Sequence, residues 1–414
     1  MKNDKNYLQA INMLMQIVIA FFDVFFSIFV FEMSNDLTFV LSYLVFQSAI
    51  ILICERIVMN ILSEKTYLII YRLSFVFILI SIALNFTISS STLYMAFVVQ
   101  FVYAIAIICY YLPHEVSIMN KNNDKSMSTF VGVHHILTLA AGIIGPFVSG
   151  FLIDYVDYPV LFGFIIVLAF ICFMLSFKIN KGVIDTPKIK LTEFSRKAHK
   201  IKHVKLAYIS HALHKASQAS VVLYLLPILL FMKFNTNFSV GQFSALATAI
   251  SGVVLILITK YAKPKKIYII IATAVLVIVS MLVMFFSSIE VFIAYYFLTT
   301  ISDKLIFKYD AEMVYIVTSG TPVSPYKKEH HATFNHYDQY SKIGAYLITL
   351  LVYNFSRTIL SISIVIFGLT ILQIFSSILM IKSDEEYKKY LEENGSESDE
   401  YGQGEQIEQV MVGE

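Results

Sequence analysis

The sequence predicts an all-α integral membrane protein with twelve transmembrane helices, and three observations carry that reading. Hydrophobic residues make up 57% of the 414 and charged residues only 14%, a composition outside the soluble globular range. Twelve long apolar stretches run through the chain. Basic residues gather in alternate connections between those stretches.

A helix needs about 20 mostly apolar residues to cross the hydrocarbon. In the first half the stretches run from Leu8 to Phe31, Leu37 to Met59, Tyr67 to Phe86, Leu93 to Leu112, Thr129 to Ile153 and Val160 to Phe177. In the second they run from Leu206 to Phe231, Gln242 to Thr259, Ile267 to Phe286, Val291 to Phe307, Ala332 to Tyr353 and Ile359 to Ile381. Of the 31 Lys and Arg, 27 lie in the termini, in the even-numbered connections or at the stretch ends that border them, and four do not. Lys233 and Arg357 lie in odd connections, and Lys215 and Lys342 lie inside stretches. Basic loops stay on the cytoplasmic side. Both termini are therefore expected in the cytoplasm, with multi-pass insertion in a plasma (inner) membrane.

The chain divides at its middle. Residues 1–178 form one six-helix bundle and 206–382 another, joined by a cytoplasmic loop, 179–205, in a segment with nine basic residues from Lys178 to Lys205. After Ser383 come eleven acidic residues against Lys388 and Lys389, which reads as a disordered cytoplasmic tail, 383–414. The first apolar run is too long for a cleaved signal and reads as the first helix. Cys54, Cys109 and Cys172 fall in or at the end of apolar stretches and give no disulfide framework. Heavy use of Ile, Phe, Tyr, Lys and Asn fits an AT-rich, bacterial genome.

Polar residues inside these stretches are costly unless they face protein or water. The first stretch places Asn12, Gln16, Asp23 and Ser27 on one stripe, with Asp23 near the bilayer centre. The seventh opens with His211, His214, Lys215 and Gln218. The tenth carries Thr299, Thr300, Ser302 and Asp303. The eleventh carries the longest stripe: His331, Asn335, Asp338, Lys342, Tyr346, Thr349 and Tyr353. Asp338 and Lys342 stand one turn apart, so each can neutralise the other. Asp23, Asp303 and Asp338 are the candidate proton-coupling carboxylates. Asn12, Gln16, His211, His214, Lys215, Gln218, Asn335, Lys342 and Tyr346 are the candidate cavity residues. For each charged group, a structural ion pair or cap is the competing reading.

Several chemistries lack their residues. The run from Glu329 to His336 holds three His without metal-ligand spacing. No phosphate-cradling Gly-rich loop is present, no nucleophile elbow appears, and the basic residues are accounted for by topology rather than nucleic acid. No enzyme, cofactor or metal is expected.

The fifth stretch reads Ala141-Gly142-Ile143-Ile144-Gly145-Pro146-Phe147-Val148-Ser149-Gly150. With six plus six helices and a long basic central loop, it resembles the major facilitator superfamily of secondary transporters. Ala141, Gly145, Pro146, Ser149 and Gly150 match the family's fifth-helix motif, where small residues let helices approach and Pro loosens the backbone ladder. The connection after the second stretch, RIVMNILSEKTYLIIYR from Arg56 to Arg72, lacks the family's Gly and Asp signature, so no subfamily follows. The resemblance implies a monomer in the lipid bilayer that moves a small molecule by alternating access, with proton coupling and outward direction as the first reading. An importer of a sugar, amino acid or peptide is the near alternative. A non-transporting membrane protein acting as sensor, immunity or assembly factor is the other.

Overall fold

The computed structural model describes residues 2–120, 126–179, 189–217, 224–261, 266–286, 288–318 and 321–393. Every regular element among them is helical. In the first half, α1 comprises Lys2–Ala20, a π-turn at Phe21–Phe25 and Phe26–Ser34. It is followed by α2 (Leu37–Ile61), α3 (Tyr67–Asn85), α4 (Met95–Asn120), α5 (Ser126–Tyr155) and α6 (Tyr158–Ser176). A short helix in the central connection, α7, spans Leu191–Lys200. The second half has α8 (Lys202–Ser217), α9 (Leu226–Phe234), α10 (Asn237–Tyr261), α11 (Lys266–Phe285), α12 (Ile289–Thr318), α13 (Lys327–Ser356) and α14 (Ile359–Glu393).

Nine helices among the described residues are long and apolar enough to cross a membrane. All six apolar stretches of the first half are represented; in the second half α10, α11 and α14 are. The other three stretches fall on α8 with α9, on α12 and on α13. These segments hold most of the charged residues singled out above. The chain is thus a multi-pass membrane protein, and its polar chemistry is concentrated in the least apolar helices.

Backbone geometry reveals an internal repeat. Asn35 ends α1 with φ 54°, and Asn235 ends α9 with φ 55°. Both are left-handed C-caps reached by a nine-residue helix, Phe26–Ser34 and Leu226–Phe234. Asn tolerates this conformation far better than other non-glycine residues. A π-turn precedes the first of these helices, and Tyr224 and Leu225 adopt the same π geometry before the second. Repeated halves are a common plan of secondary transporters.

The halves meet along two long seams, α5 against α10 and α2 against α13, with α1 touching α9 at one end. The small residues of α5 make the first seam possible. A Cβ on Gly150 would lie 2.6 Å from the Asn237 carbonyl oxygen, and one on Gly241 would lie 2.4 Å from that of Pro146. A Cβ on Gly145 would sit 3.2 Å from Ala20 of α1. Ala141 and Ser149 are fully buried.

Three boundaries depart from expectation. Helix α12 continues to Thr318, so Asp310 lies in a helix and not in a connection. Helix α14 runs to Glu393, well into the segment expected as a tail, because Glu, Lys, Tyr and Leu are adequate helix formers there. Its extension is pinned by Lys202 to Glu386 at 2.8 Å and Lys266 to Glu385 at 2.8 Å. The central connection contains α7, whose Phe194 and Ala198 pack with Tyr208 and Val323.

Candidate functional site

The π-turn in α1 inserts one extra residue into the helical register around Asp23, and such turns often mark functional positions. Asp23 accepts a hydrogen bond from the Tyr224 hydroxyl of the opposite half at 3.2 Å. Tyr346 of α13 packs edge-on against Tyr224, with ring centroids 5.9 Å apart. Tyr43, Tyr103 and Tyr111 also lie within electrostatic range of Asp23. Phe22 stacks on Tyr103 with centroids 3.8 Å apart. A carboxylate in the core of α1 is thus surrounded by phenols from both halves. Ser27, on the same sequence stripe, instead accepts from Tyr43 at 2.7 Å.

One end of α1 carries a separate polar group. Asn12 donates to Thr138 of α5 at 3.1 Å and accepts from Tyr110 of α4 at 3.1 Å. Gln16 donates to Asn12 at 3.4 Å and also reaches Tyr111. These contacts stay within the first half.

The second half holds the charges. Lys342 pairs with Asp338 at 2.8 Å, one turn away on α13, as the spacing implied. The ammonium of Lys342 is the cation within range of Asp23. On α8, His211 hydrogen-bonds Asp310 of α12 at 2.6 Å through Nδ1, and both side chains are 4% exposed. The His211 ring rests against Phe334, with centroids 3.6 Å apart. His214 donates from Nδ1 to Gln373 of α14 at 2.9 Å, while its Nε2 lies 3.6 Å from Asp303. Lys215 lies within electrostatic range of both Asp310 and Asp338. The structure therefore gathers Asp303, Asp310, Asp338, His211, His214, Lys215 and Lys342 on three adjacent helices, α8, α12 and α13. A cavity of about 350 Å³ between α8, α13 and α14, lined by Ala212, Ala216, Tyr340, Gly344 and Leu372, contains none of them.

Asn335 does something different from the rest of its stripe. It donates to Glu55 of α2 at 2.9 Å, and His336 approaches the same carboxylate at 3.2 Å. Lys328 reaches the Met59 carbonyl at 3.2 Å. Together these residues close the α2–α13 seam near the end that bears the chain termini. At the opposite end, Asp154 caps α10 by accepting from the backbone N–H of Asn237 at 3.1 Å and of Phe238 at 2.7 Å. An anion at a helix N-terminus is favourable, and here it comes from the other half. Glu32 joins this group by accepting from Asn237 at 3.3 Å and from Tyr158.

Sequence reasoning overlooked Asp310 and Glu55. Asp310 follows the end of the tenth apolar stretch at Phe307, and Glu55 lies beside Arg56 at the basic end of the second. Gln218 lies outside the described residues. No group of three His, Cys, Asp or Glu suited to a metal ion occurs among the described residues.

No protein-family description matches the sequence, and no curated protein matches it. Solved structures do. A single-residue mutant of the nucleoside transporter NupG superposes with a TM-score of 0.70 at 13% identity, covering 92% of this chain and 99% of that one. NupG itself matches at 0.66 and 14% identity, covering 93% and 99%. A bacterial homologue of the iron transporter ferroportin, in an outward-facing state, matches at 0.65 and 12% identity, covering 92% and 99%. These neighbours are transporters rather than enzymes, and at such identities the likeness establishes architecture alone. The chain has the fold of major-facilitator-type transporters.

Proposed function

We propose that the protein is a secondary active transporter of a small molecule, working by alternating access across twelve spans with both termini in the cytoplasm. The observation that carries this reading is the contact between Asp23 and Tyr224. It joins the two halves in the core, where one wall supplies a carboxylate in a π-turn and the other supplies phenols and a charged network. Secondary transporters place their sites at such a junction, on interrupted helices. The seams at both ends consist of small residues and polar contacts, which two rocking bundles can break and remake. The nucleoside and iron transporters with the same fold support movement of a solute, and at 12–14% identity they leave the solute open.

Proton coupling is part of the proposal. Asp23, Asp303 and Asp338, with the His211–Asp310 pair, can change charge between the two open states, and imidazole suits protons exchanged near neutral pH. Outward movement of the solute follows if protons run inward. The acidic segment after Glu393 has no part in this scheme.

Topology is tested by cysteine labelling. Cysteine at Ser89 or Asp157 should react with an impermeant thiol reagent on intact cells, whereas cysteine at Thr192 should react only after permeabilisation. The reverse pattern overturns the orientation. Coupling is tested in proteoliposomes: Asp310→Asn should abolish gradient-driven accumulation while leaving solute exchange intact. Undiminished accumulation removes the proton from this pair.

A further inference from the structure

Among the described residues, one alternating string of charges runs from Asp23 to His211, with Asp303 standing apart from it beside His214. Asp23 lies within range of Lys342, Lys342 pairs with Asp338, Asp338 lies within range of Lys215, Lys215 lies within range of Asp310, and Asp310 is bonded to His211. Three carboxylates thus alternate with two ammonium groups, and an imidazole closes the far end. With His211 neutral the string carries one net negative charge; with His211 protonated it carries none. Unbalanced charge inside a membrane is costly. The string has room for one further positive charge, and it offers two places for it.

One place is the imidazole. Among the described residues, His211 faces Asp310 from α12, His330 and Asp338 from α13, and Lys215 from its own helix, while His214 lies within range of Asp310. The other place is Asp23, which faces Tyr43 from α2, Tyr103 and Tyr111 from α4, Tyr224 and Lys342. Lys342 gives its hydrogen bond to Asp338 rather than to Asp23. Tyr346, Tyr103 and Tyr43 also lie within range of Tyr224, so Asp23 stands in an aromatic enclosure. Phenol faces attract ammonium groups, most strongly when water is excluded, and a central carboxylate supplies the counter-charge. An anion would be repelled by Asp23, and a neutral solute would leave the string with its net negative charge.

We infer that the solute is an organic monocation, seated with its ammonium on Asp23 inside the tyrosine enclosure, and that it exchanges one for one with a proton held at the His211–Asp310 end of the string. This rests on the transporter reading above. When the cation enters, the proton leaves His211 for water, and the string stays neutral in both loaded states. The exchange therefore moves no net charge across the membrane.

Proteoliposomes and three probes test this: benzyltrimethylammonium as cation, phenylacetate as anion and uridine as neutral solute. A pH gradient should concentrate the cation in the acidic compartment, to about tenfold per pH unit at equilibrium. A potassium diffusion potential alone should move none. Asp23→Asn should weaken cation binding to the purified protein about tenfold or more, with Tyr224→Phe as the milder variant should Asp23→Asn fail to reach the membrane. His211→Gln should retain binding and cation counterflow while losing accumulation driven by the pH gradient. Cation movement driven by potential alone, preference for phenylacetate or uridine, or no cation binding by the unaltered protein each overturns the inference. Uridine uptake unaffected by Asp23→Asn would sink this inference and leave the transporter reading standing. Cation binding lost in Asp23→Asn, with no flux of any probe, would uphold the cation site and sink the proton exchange together with the transporter reading.

Discussion

The two halves of the molecule share a backbone plan but divide the labour. Each has a helix that changes to π geometry, ends nine residues later on a left-handed Asn and hands over to the next span. The first half fills its interior with phenylalanine and tyrosine and admits Asp23 in the enclosure, with Asn12 and Gln16 as a neutral polar group. The second half sets His211, Lys215, Asp303, Asp310, Asp338 and Lys342 on α8, α12 and α13. All six stretches of the first half remain apolar enough to count as spans, while α12 and α13 of the second do not; the stretch on α8 and α9 is only partly within the described residues. The lesson is that repeated geometry does not require repeated chemistry. One bundle lines the junction with aromatic rings and the other with charged side chains.

The largest effect should come from breaking the charge network. Asp338→Ala leaves Lys342 unpaired in low dielectric, a change that typically costs about 3–5 kcal/mol. Membrane abundance and melting temperature should fall sharply, and Asp338→Ala combined with Lys342→Ala should recover much of both. If abundance returns with full activity, the pair is structural only; if abundance returns without activity, it belongs to the site. A double variant as unstable as the worse single would show that the two charges do not compensate each other.

A smaller effect is expected at the seam between the halves. Gly241→Ala places a methyl 2.4 Å from the Pro146 carbonyl, so α5 and α10 must separate. Overpacking of this kind typically costs about 1–3 kcal/mol. Gly163→Ala in α6, where a Cβ meets nothing within 4 Å, should not lower the melting temperature. Equal melting of the two variants would show that the seam is loose and that the halves are not held by this contact.

The smallest effect lies outside the bilayer. Glu386 is held below its ordinary value of 4.5 by its hydrogen bond to Lys202, and Glu385 likewise by Lys266. Their contribution is present above that ordinary value and fades as pH falls through the lowered one. Exposed pairs contribute little, so Glu386→Gln should alter protease protection of the α14 extension only slightly at neutral pH and not at all at strongly acidic pH. A large loss of protection at neutral pH would make this extension more than a solvated helix end.

How legible this was depends on whether the signal is local. The Asp338–Lys342 pair follows from a four-residue spacing on one helix, and the close approach at Gly145 and Gly150 follows from small residues at fixed intervals. Asp23 stood out because a lone carboxylate in an apolar run is expensive. Asp310 did not, since basic residues before it suggested a connection, and only the continuation of α12 brings it opposite His211. Glu55 was masked by Arg56, and its partners lie some 280 residues away on α13. No local pattern announces a π-turn. The helical extension of α14 was concealed by an acidic composition that suits a solvated helix as well as a tail.

The most direct test of two bundles rocking about a shared core is a reversible lock at the end away from the termini. Glu32 and Asn237 lie 3.3 Å apart across the halves. In a background without native cysteines, Glu32→Cys and Asn237→Cys are joined by a crosslinker, and Gln16→Cys in the core reports access to an impermeant reagent from outside. The account predicts that crosslinking blocks labelling at Gln16→Cys and that release of the crosslink restores it. Labelling at the same rate with the lock closed would contradict it.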